Sequence, residues 1–515
     1  MKHNTKSKPR KHPLLKFFLV TLPLSLLLTL SFVAFFSAKW YVNVYGQLGF
    51  DSILYTLLSN LNGVESGLVS KYLSEALTPA LCCSIPLCFV LFISLPKRLI
   101  LEILSRFRIQ LFPIRRIVAI LLSLILSVFL IDHAAKDVEL GEYIKYISTE
   151  STFYQEYYQD PKTTKITFPE KKRNLIYIFL ESFETTFFSQ EQGGFLPYEI
   201  APELYQLATE NTSFSNTDGF GGIYSPGGTG WTIGAMVGQT AAIPLKMPPG
   251  IGNNDYGANN VFLPGVTTIT DILHENGYYQ ALMVGSDANF GGRAAYYSSH
   301  GTDRIYDLHT ARADKLIPED YYVWWGYEDE YLFTYAKQVL SDISQNDQPF
   351  ALTMLTVDTH HPSGYVCENC DSAFTHQYEN VISCSSKQVA EFVSWIQEQD
   401  FYENTTVIVV GDHPTMDNQY IQAINAWSYD RRMYNCFINS AVDASSTTRR
   451  EAFTTDMFPT TLAAIGCTIE GERLGLGTNL FSDTPTLAEI MGLPELVAQM
   501  SASSSYYTSN FFFAE

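Results

Sequence analysis

The sequence predicts an α/β fold, a mostly parallel sheet covered by helices, preceded by an amino-terminal multi-span α-helical membrane region. Residues 17–38, 76–96 and 117–131 are apolar runs without a single charge. From residue 174 onward, short apolar runs alternate with amphipathic segments, the pattern of strands buried between layers of helices. Charge divides at the same boundary: residues 1–173 hold 21 Lys and Arg against 12 acids, and residues 174–515 hold 12 against 41. A part with a net charge of −29 repels nucleic-acid phosphates, and it has no basic patch interleaved with aromatics. Nucleic acid is therefore excluded as the main partner.

The first two runs are long enough to cross a hydrocarbon core of about 30 Å. The third lies between Arg116 and Asp132 and crosses only if Arg115 and Arg116 snorkel. Lys97, Arg98, Arg106, Arg108, Arg115 and Arg116 crowd the segment after the second run, and Lys2, Lys6, Lys8, Arg10 and Lys11 precede the first. Residues 39–75 hold only Lys39 and Lys71. Excess Lys and Arg marks the cytoplasmic side, so the amino terminus is expected inside and residue 133 onward outside. The first run is too long for a signal peptide and lacks a clear small-residue cleavage site, so it reads as an uncleaved anchor. The expected organisation is a tail and transmembrane region over 1–134, a linker rich in Tyr, Lys, Glu and Thr over 135–173, a globular domain over 174–482, and a surface helix with a polar, aromatic tail over 483–515.

Cys82, Cys83 and Cys88 fall in the second span and read as small hydrophobes, and Cys436 and Cys467 read as core residues. Cys367, Cys370 and Cys384 cluster in sequence. A CxxC with one further cysteine makes a poor zinc site, and an oxidising exterior favours a local disulfide over free thiols; its connectivity is not fixed by the sequence.

Strands are expected at 174–180, 278–286, 349–358 and 405–411, with helices at 266–276, 328–343, 386–399 and 454–465. In open α/β sheets ligands bind beyond the carboxyl ends of strands, where loops gather side chains from distant parts of the chain. Glu181 follows NLIYIFL, and alone is an ordinary helix-dipole partner. Asp412 and His413 follow TTVIVVG, where adjacent O and N donors suit a divalent metal as well as they suit a loop cap. The stretch DGFGGIYSPGGTGWTIGAM carries Gly219, Gly221, Gly222, Gly227, Gly228 and Gly230 before a helix start. It lacks the ending of a nucleotide P-loop and the spacing of a dinucleotide fingerprint. What it offers is backbone N–H groups for an anion and the Thr232 hydroxyl, a plain N-cap unless metal ligands stand nearby. His360, in VDTHHPSG after PFALTMLTVD, is placed to move a proton at a reacting oxygen. Arg293, in SDANFGGRAAYY, is one of few cations in an acidic domain and suits a phosphate.

Together LES, GGTGWTIGAM, VDTHHPSG and GDHPT, with DMFPTTLAAIG and RLGLGTNLF, resemble the sulfatase-like phosphoglycerol transferases. These are the lipoteichoic acid synthases and the osmoregulated-glucan phosphoglycerol transferases; GTGWT and DTHHP look closer to the second group. The resemblance covers about 174–482 and implies an alkaline-phosphatase/sulfatase-like catalytic domain there. It implies metal ligands at Glu181, Thr232, Asp412 and His413, a substrate-binding Arg293, and Thr232 and His360 as catalytic residues. It also implies one divalent metal, Mn²⁺ or Mg²⁺ with Zn²⁺ as the further option. The implied reaction moves glycerol phosphate from phosphatidylglycerol to an extracytoplasmic glycan or polyglycerol phosphate acceptor through a phospho-threonine intermediate. The synthases place a Trp two residues before the Arg, where this chain has Gly291, and the Cys-x-Pro-x-Arg motif of true sulfatases is missing. The rival readings are a phosphoethanolamine transferase of the same fold and an inactive membrane-bound glycan-binding or scaffold relative.

Overall fold

In the computed structural model, residues 20–46, 50–58, 66–92, 112–247 and 261–513 are described. The basic tail before residue 14, the loop with Lys97, Arg98, Arg106 and Arg108, and the side chains of Arg115 and Arg116 lie outside them. The chain divides into two compact units, residues 1–43 with 66–141 and residues 44–65 with 142–515.

In the first unit the helices α1 (Leu22–Tyr45), α3 (Val69–Leu91) and α4 (Ile117–Asp137) are each long and apolar enough to cross a membrane. Apolar residues such as Leu30, Phe89 and Val128 stand exposed on them, as lipid contact requires. The helices start or end several residues away from the apolar runs: α1 continues through Lys39 to Tyr45, and α4 through Asp132 to Asp137. Charge ends a run of hydropathy without ending a helix, and Lys136 donates to Asp132 one turn away at 2.7 Å.

The second unit is built on a six-stranded sheet. Its strands are β1 (Asn174–Leu180), β2 (Tyr279–Val284), β3 (Arg304–Tyr306), β4 (Phe350–Leu355), β5 (Thr405–Gly411) and β6 (Asn435–Ile438). Their order is β3-β2-β4-β1-β5-β6, with β6 antiparallel to β5 and every other pair parallel. Strands β1 and β5 are buried along their whole length, which is why both read as continuous apolar runs. The sheet separates two cores. One holds Tyr177, Phe179, α5 (Thr232–Ala241) and α9 (Met457–Ala464); the other holds Ile176, Ile178, α7 (Asp329–Ile343) and α8 (Gln377–Gln397). Helix α8 begins nine residues earlier than the sequence pattern indicates. Its first turns carry the polar Gln377, Glu379 and Asn380, which hide the apolar face of Tyr378, Val381 and Ile382. Helix α6 (Ile269–Glu275) starts at a capping box formed by Thr268 and Asp271.

The expected surface helix and tail at the carboxyl end are instead packed into the first core. Tyr507, Phe511 and Phe512 are buried, and the Tyr507 hydroxyl donates to Pro244 O at 2.9 Å. Three aromatics within six residues supply enough apolar area to hold a segment whose neighbours are polar.

Register fixes the site. Leu180 pairs with Gly411 and Phe179 with Leu355, so the residues just beyond them, Glu181, Asp412 and Thr356, stand side by side at one edge. Close approach there requires Gly411, since a Cβ on it would lie 1.8 Å from Phe183 O. Gly411→Ala is expected to cost about 3 kcal/mol or more through backbone displacement, read as a Tm lowered by several degrees.

Candidate active site

Thr232 opens α5, whose remaining residues are all buried, so the hydroxyl sits on a rigid element. The tight entry depends on glycines: a Cβ on Gly234 would meet Gly228 O at 2.6 Å, and Gly228 has φ +83°. Thr232 Oγ1 donates to Glu181 Oε2 at 3.3 Å and lies 3.5 Å from His413 Nε2. His413 Nε2 is in turn 3.5 Å from Glu181 Oε1 and 3.3 Å from Asp412 Oδ2. These four residues, from three separate stretches of chain, therefore converge.

The protonation pattern of this cluster is informative. His413 Nδ1 lies 2.9 Å from Pro414 O, a carbonyl that can only accept, so Nδ1 carries the proton and Nε2 presents its lone pair. Burial holds the imidazole below its ordinary pKa and favours that neutral form. Asp412 Oδ1 accepts from Ser182 N and His413 N, both at 2.7 Å, whereas its buried Oδ2 has no hydrogen-bond partner among the described residues. Burial, and then the charge of Glu181, pushes the Asp412 carboxyl well above the usual carboxylate range. Two buried carboxyls and an imidazole lone pair thus converge on the threonine hydroxyl, with Ser182 Oγ donating to Glu181 Oε1 at 2.7 Å. That is a donor set for a cation, and Glu181, Asp412 and His413 fit a divalent metal with mixed O and N ligands.

His360 follows β4, in a loop closed by Thr359 Oγ1 donating to Glu181 O at 2.6 Å. Its Nδ1 lies 2.8 Å from His361 O, which leaves Nε2 to take or give a proton. His360 and Arg293 both stand close enough to Glu181 to act on it electrostatically. Arg293 is 6% exposed; its Nη2 donates to Ser286 Oγ at 3.1 Å and Asp287 O at 2.8 Å, while its Nε is buried with no partner among the described residues. A buried guanidinium N–H without an acceptor is costly unless an anion completes it.

Two residues of this region are absent from the sequence-based list. Trp325 lies against His360 with ring centroids 4.7 Å apart, and against Phe290 at 5.4 Å. The signal for it was an aromatic pair before a glycine: a Cβ on Gly326 would lie 2.1 Å from Gly285 O, so that turn must pack on the end of β2. Tyr55, on α2 (Phe50–Leu58), donates its hydroxyl to Gly291 O at 2.5 Å and packs 5.8 Å from the Trp231 ring. Gly291 and Gly292 both have positive φ, +66° and +79°, and a Cβ on Gly292 would meet Phe262 at 2.7 Å. The turn leading to Arg293 is thus pinned by Tyr55, from a segment that composition alone assigns to no function.

The Sulfatase family model matches residues 173–467. Among curated proteins the chain is similar to phosphoglycerol transferase I of Xanthomonas campestris pv. campestris strain B100, 30% identical over 332 residues, which is 62% of this chain and 44% of that protein. It is also 31% identical over 319 residues to phosphoglycerol transferase I of Citrobacter koseri, 60% of this chain and 38% of the relative. The match thus spans less than half the length of these relatives. Among solved structures, the integral membrane protein lipooligosaccharide phosphoethanolamine transferase A (EptA) of Neisseria meningitidis superposes with a TM-score of 0.50 at 14% identity, covering 89% of this chain and 91% of that one. That likeness is one of fold, and it includes the membrane region.

Proposed function

The chain belongs to the sulfatase family, and on that premise we propose that it is a membrane-anchored phosphoglycerol transferase, with a catalytic domain over about 174–482 that faces the extracytoplasmic side. The observation that carries this reading is the threonine hydroxyl set at a helix start against Glu181, Asp412 and His413, a set of O and N ligands able to hold a metal, beside a buried arginine with an N–H uncompleted among the described residues. The similarity to phosphoglycerol transferases supports the substrate class.

Glu181, Asp412 and His413 would hold a divalent cation, Mn²⁺ or Mg²⁺ in this proposal, which would lower the pKa of the Thr232 hydroxyl and offset phosphoryl charge. Thr232 Oγ1, entering as the alkoxide, attacks the phosphorus of phosphatidylglycerol and breaks its bond to the diacylglycerol oxygen, and Arg293 binds the non-bridging oxygens through Nε and the guanidinium edge. His360 Nε2 gives a proton to the departing diacylglycerol oxygen. The glycerophospho-threonine that remains is attacked by a hydroxyl of a glycan or of a glycerol phosphate chain, whose proton His360 Nε2 takes back. The amide N–H groups at the start of α5 face the same anion.

Two measurements bear on this reading. Diacylglycerol release compared between phosphatidylglycerol and phosphatidylethanolamine is expected to favour the first strongly; preference for the second would give the protein the head group of the phosphoethanolamine transferases. Arg293→Lys keeps the charge but loses the Nε donor and the planar fork. It is expected to lower kcat/KM for phosphatidylglycerol about 10- to 100-fold, the equivalent of about 1.5–3 kcal/mol for a hydrogen bond to a charged group.

A further inference from the structure

We propose that Cys367, Cys370 and Cys384 form a second metal site, separate from the active site, that binds a thiophilic divalent cation of the zinc class. The expected disulfide is not formed: all three are free thiols. Cys367 Sγ lies 3.5 Å from Cys370 Sγ and 3.6 Å from Cys384 Sγ, and one ligand atom from each residue falls within 4.8 Å of the others. A disulfide would place two sulfurs at about 2.05 Å. Tetrahedral ligation with metal–sulfur distances of about 2.3 Å places them about 3.8 Å apart, close to the spacing here. Considered in sequence, CxxC plus one distant cysteine is a weak metal signal; the fold strengthens it by bringing Cys384, in the third turn of α8, onto the CxxC turn.

The surroundings suit a cation. Cys367 and Cys384 are buried and Cys370 is half-buried, so water reaches the cluster on one side and supplies the fourth ligand. Gln388 Nε2, one turn along α8 from Cys384, donates to Cys384 Sγ at 3.4 Å and to Cys367 Sγ at 3.8 Å. Such donors to sulfur orient and stabilise thiolate ligands. The Cys370 N–H bonds back to Cys367 O at 3.2 Å, closing the turn that presents both sulfurs together. Binding converts the thiols to thiolates and releases their protons.

The site also answers a structural need. Residues 356–376 contain no helix or strand, and they carry His360. A loop of that length inside a compact unit needs a tether, and three thiolates joining it to α8 provide one.

Cobalt distinguishes this site from the active site, because only sulfur ligands give a strong near-ultraviolet sulfur-to-cobalt charge-transfer band. Full-length protein purified in detergent, stripped by chelator and titrated with Co²⁺, is expected to show that band, and Asp412→Asn is expected to keep it. Cys384→Ser is expected to weaken the affinity read from the band at least about tenfold. Should Cys384→Ser fail to fold, Cys370→Ser at the half-buried position serves as the same test. Alkylation of the untreated protein under denaturing, non-reducing conditions is expected to label all three cysteines. No charge-transfer band in the wild type, a band unchanged in the folded cysteine variants, or two cysteines protected from alkylation as a disulfide would each overturn the proposal.

Discussion

Thr232→Ala is expected to abolish diacylglycerol release from labelled phosphatidylglycerol, with a fall in kcat of roughly 10⁴-fold or more, the scale seen when a covalent nucleophile is removed. The fold should survive the change. Thr232 is half-buried, caps nothing with its side chain, and contributes one long hydrogen bond to Glu181. Helix α5 is held by its buried face, so Tm is expected to move by no more than a degree or two. Loss of activity with an unchanged Tm separates a nucleophile from a structural residue; activity within tenfold of wild type would contradict the mechanism.

The second large effect is expected at Asp412. Alanine there would remove the acceptor for Ser182 N and His413 N together, leaving two buried N–H groups at a cost of about 1–3 kcal/mol each. Asparagine keeps an oxygen for both and removes only the charge, so it isolates the ligand role. Asp412→Asn is expected to weaken the active-site metal by more than the roughly 10- to 100-fold that loss of an outer-shell partner costs, with activity falling in parallel. The measurement is divalent metal bound per chain after dialysis, using Mn²⁺, together with transfer rate at saturating Mn²⁺. Wild-type affinity for Mn²⁺ in this variant would remove Asp412 from the ligand set.

What the sequence disclosed follows from how each element is stabilised. Strands β1 and β5 lie buried between two layers, so after Asn174 and after Thr405 and Thr406 they are apolar, and their ends are visible in the steps from Leu180 to Glu181 and from Gly411 to Asp412. The same burial makes those polar residues conspicuous as candidates. Strand β6 is four residues long and β3 three, too short for any periodicity, and each is defined by its neighbour in the sheet. Tyr55 and Trp325 were invisible for a different reason. Each reads as one more aromatic in an aromatic-rich chain, and its meaning comes from the distant residue it meets, Gly291 for one and His360 for the other. The buried carboxyl end and the convergence of Cys384 on the CxxC turn are likewise tertiary facts. Gly291 is a mixed case. The sequence marked it as the place where a synthase Trp is missing, and the structure places there a turn of two left-handed glycines pinned by Tyr55.

The central claim is that Thr232 carries the glycerophosphate between donor and acceptor. Intact mass and peptide mass spectrometry of the full-length protein, incubated in detergent with phosphatidylglycerol and Mn²⁺ and quenched before acceptor is added, tests it most directly. The account predicts a glycerophosphate adduct confined to the peptide containing Thr232, absent from Thr232→Ala and discharged when acceptor is supplied. An active protein that releases diacylglycerol while Thr232 stays unmodified, or an adduct on another residue, would contradict it.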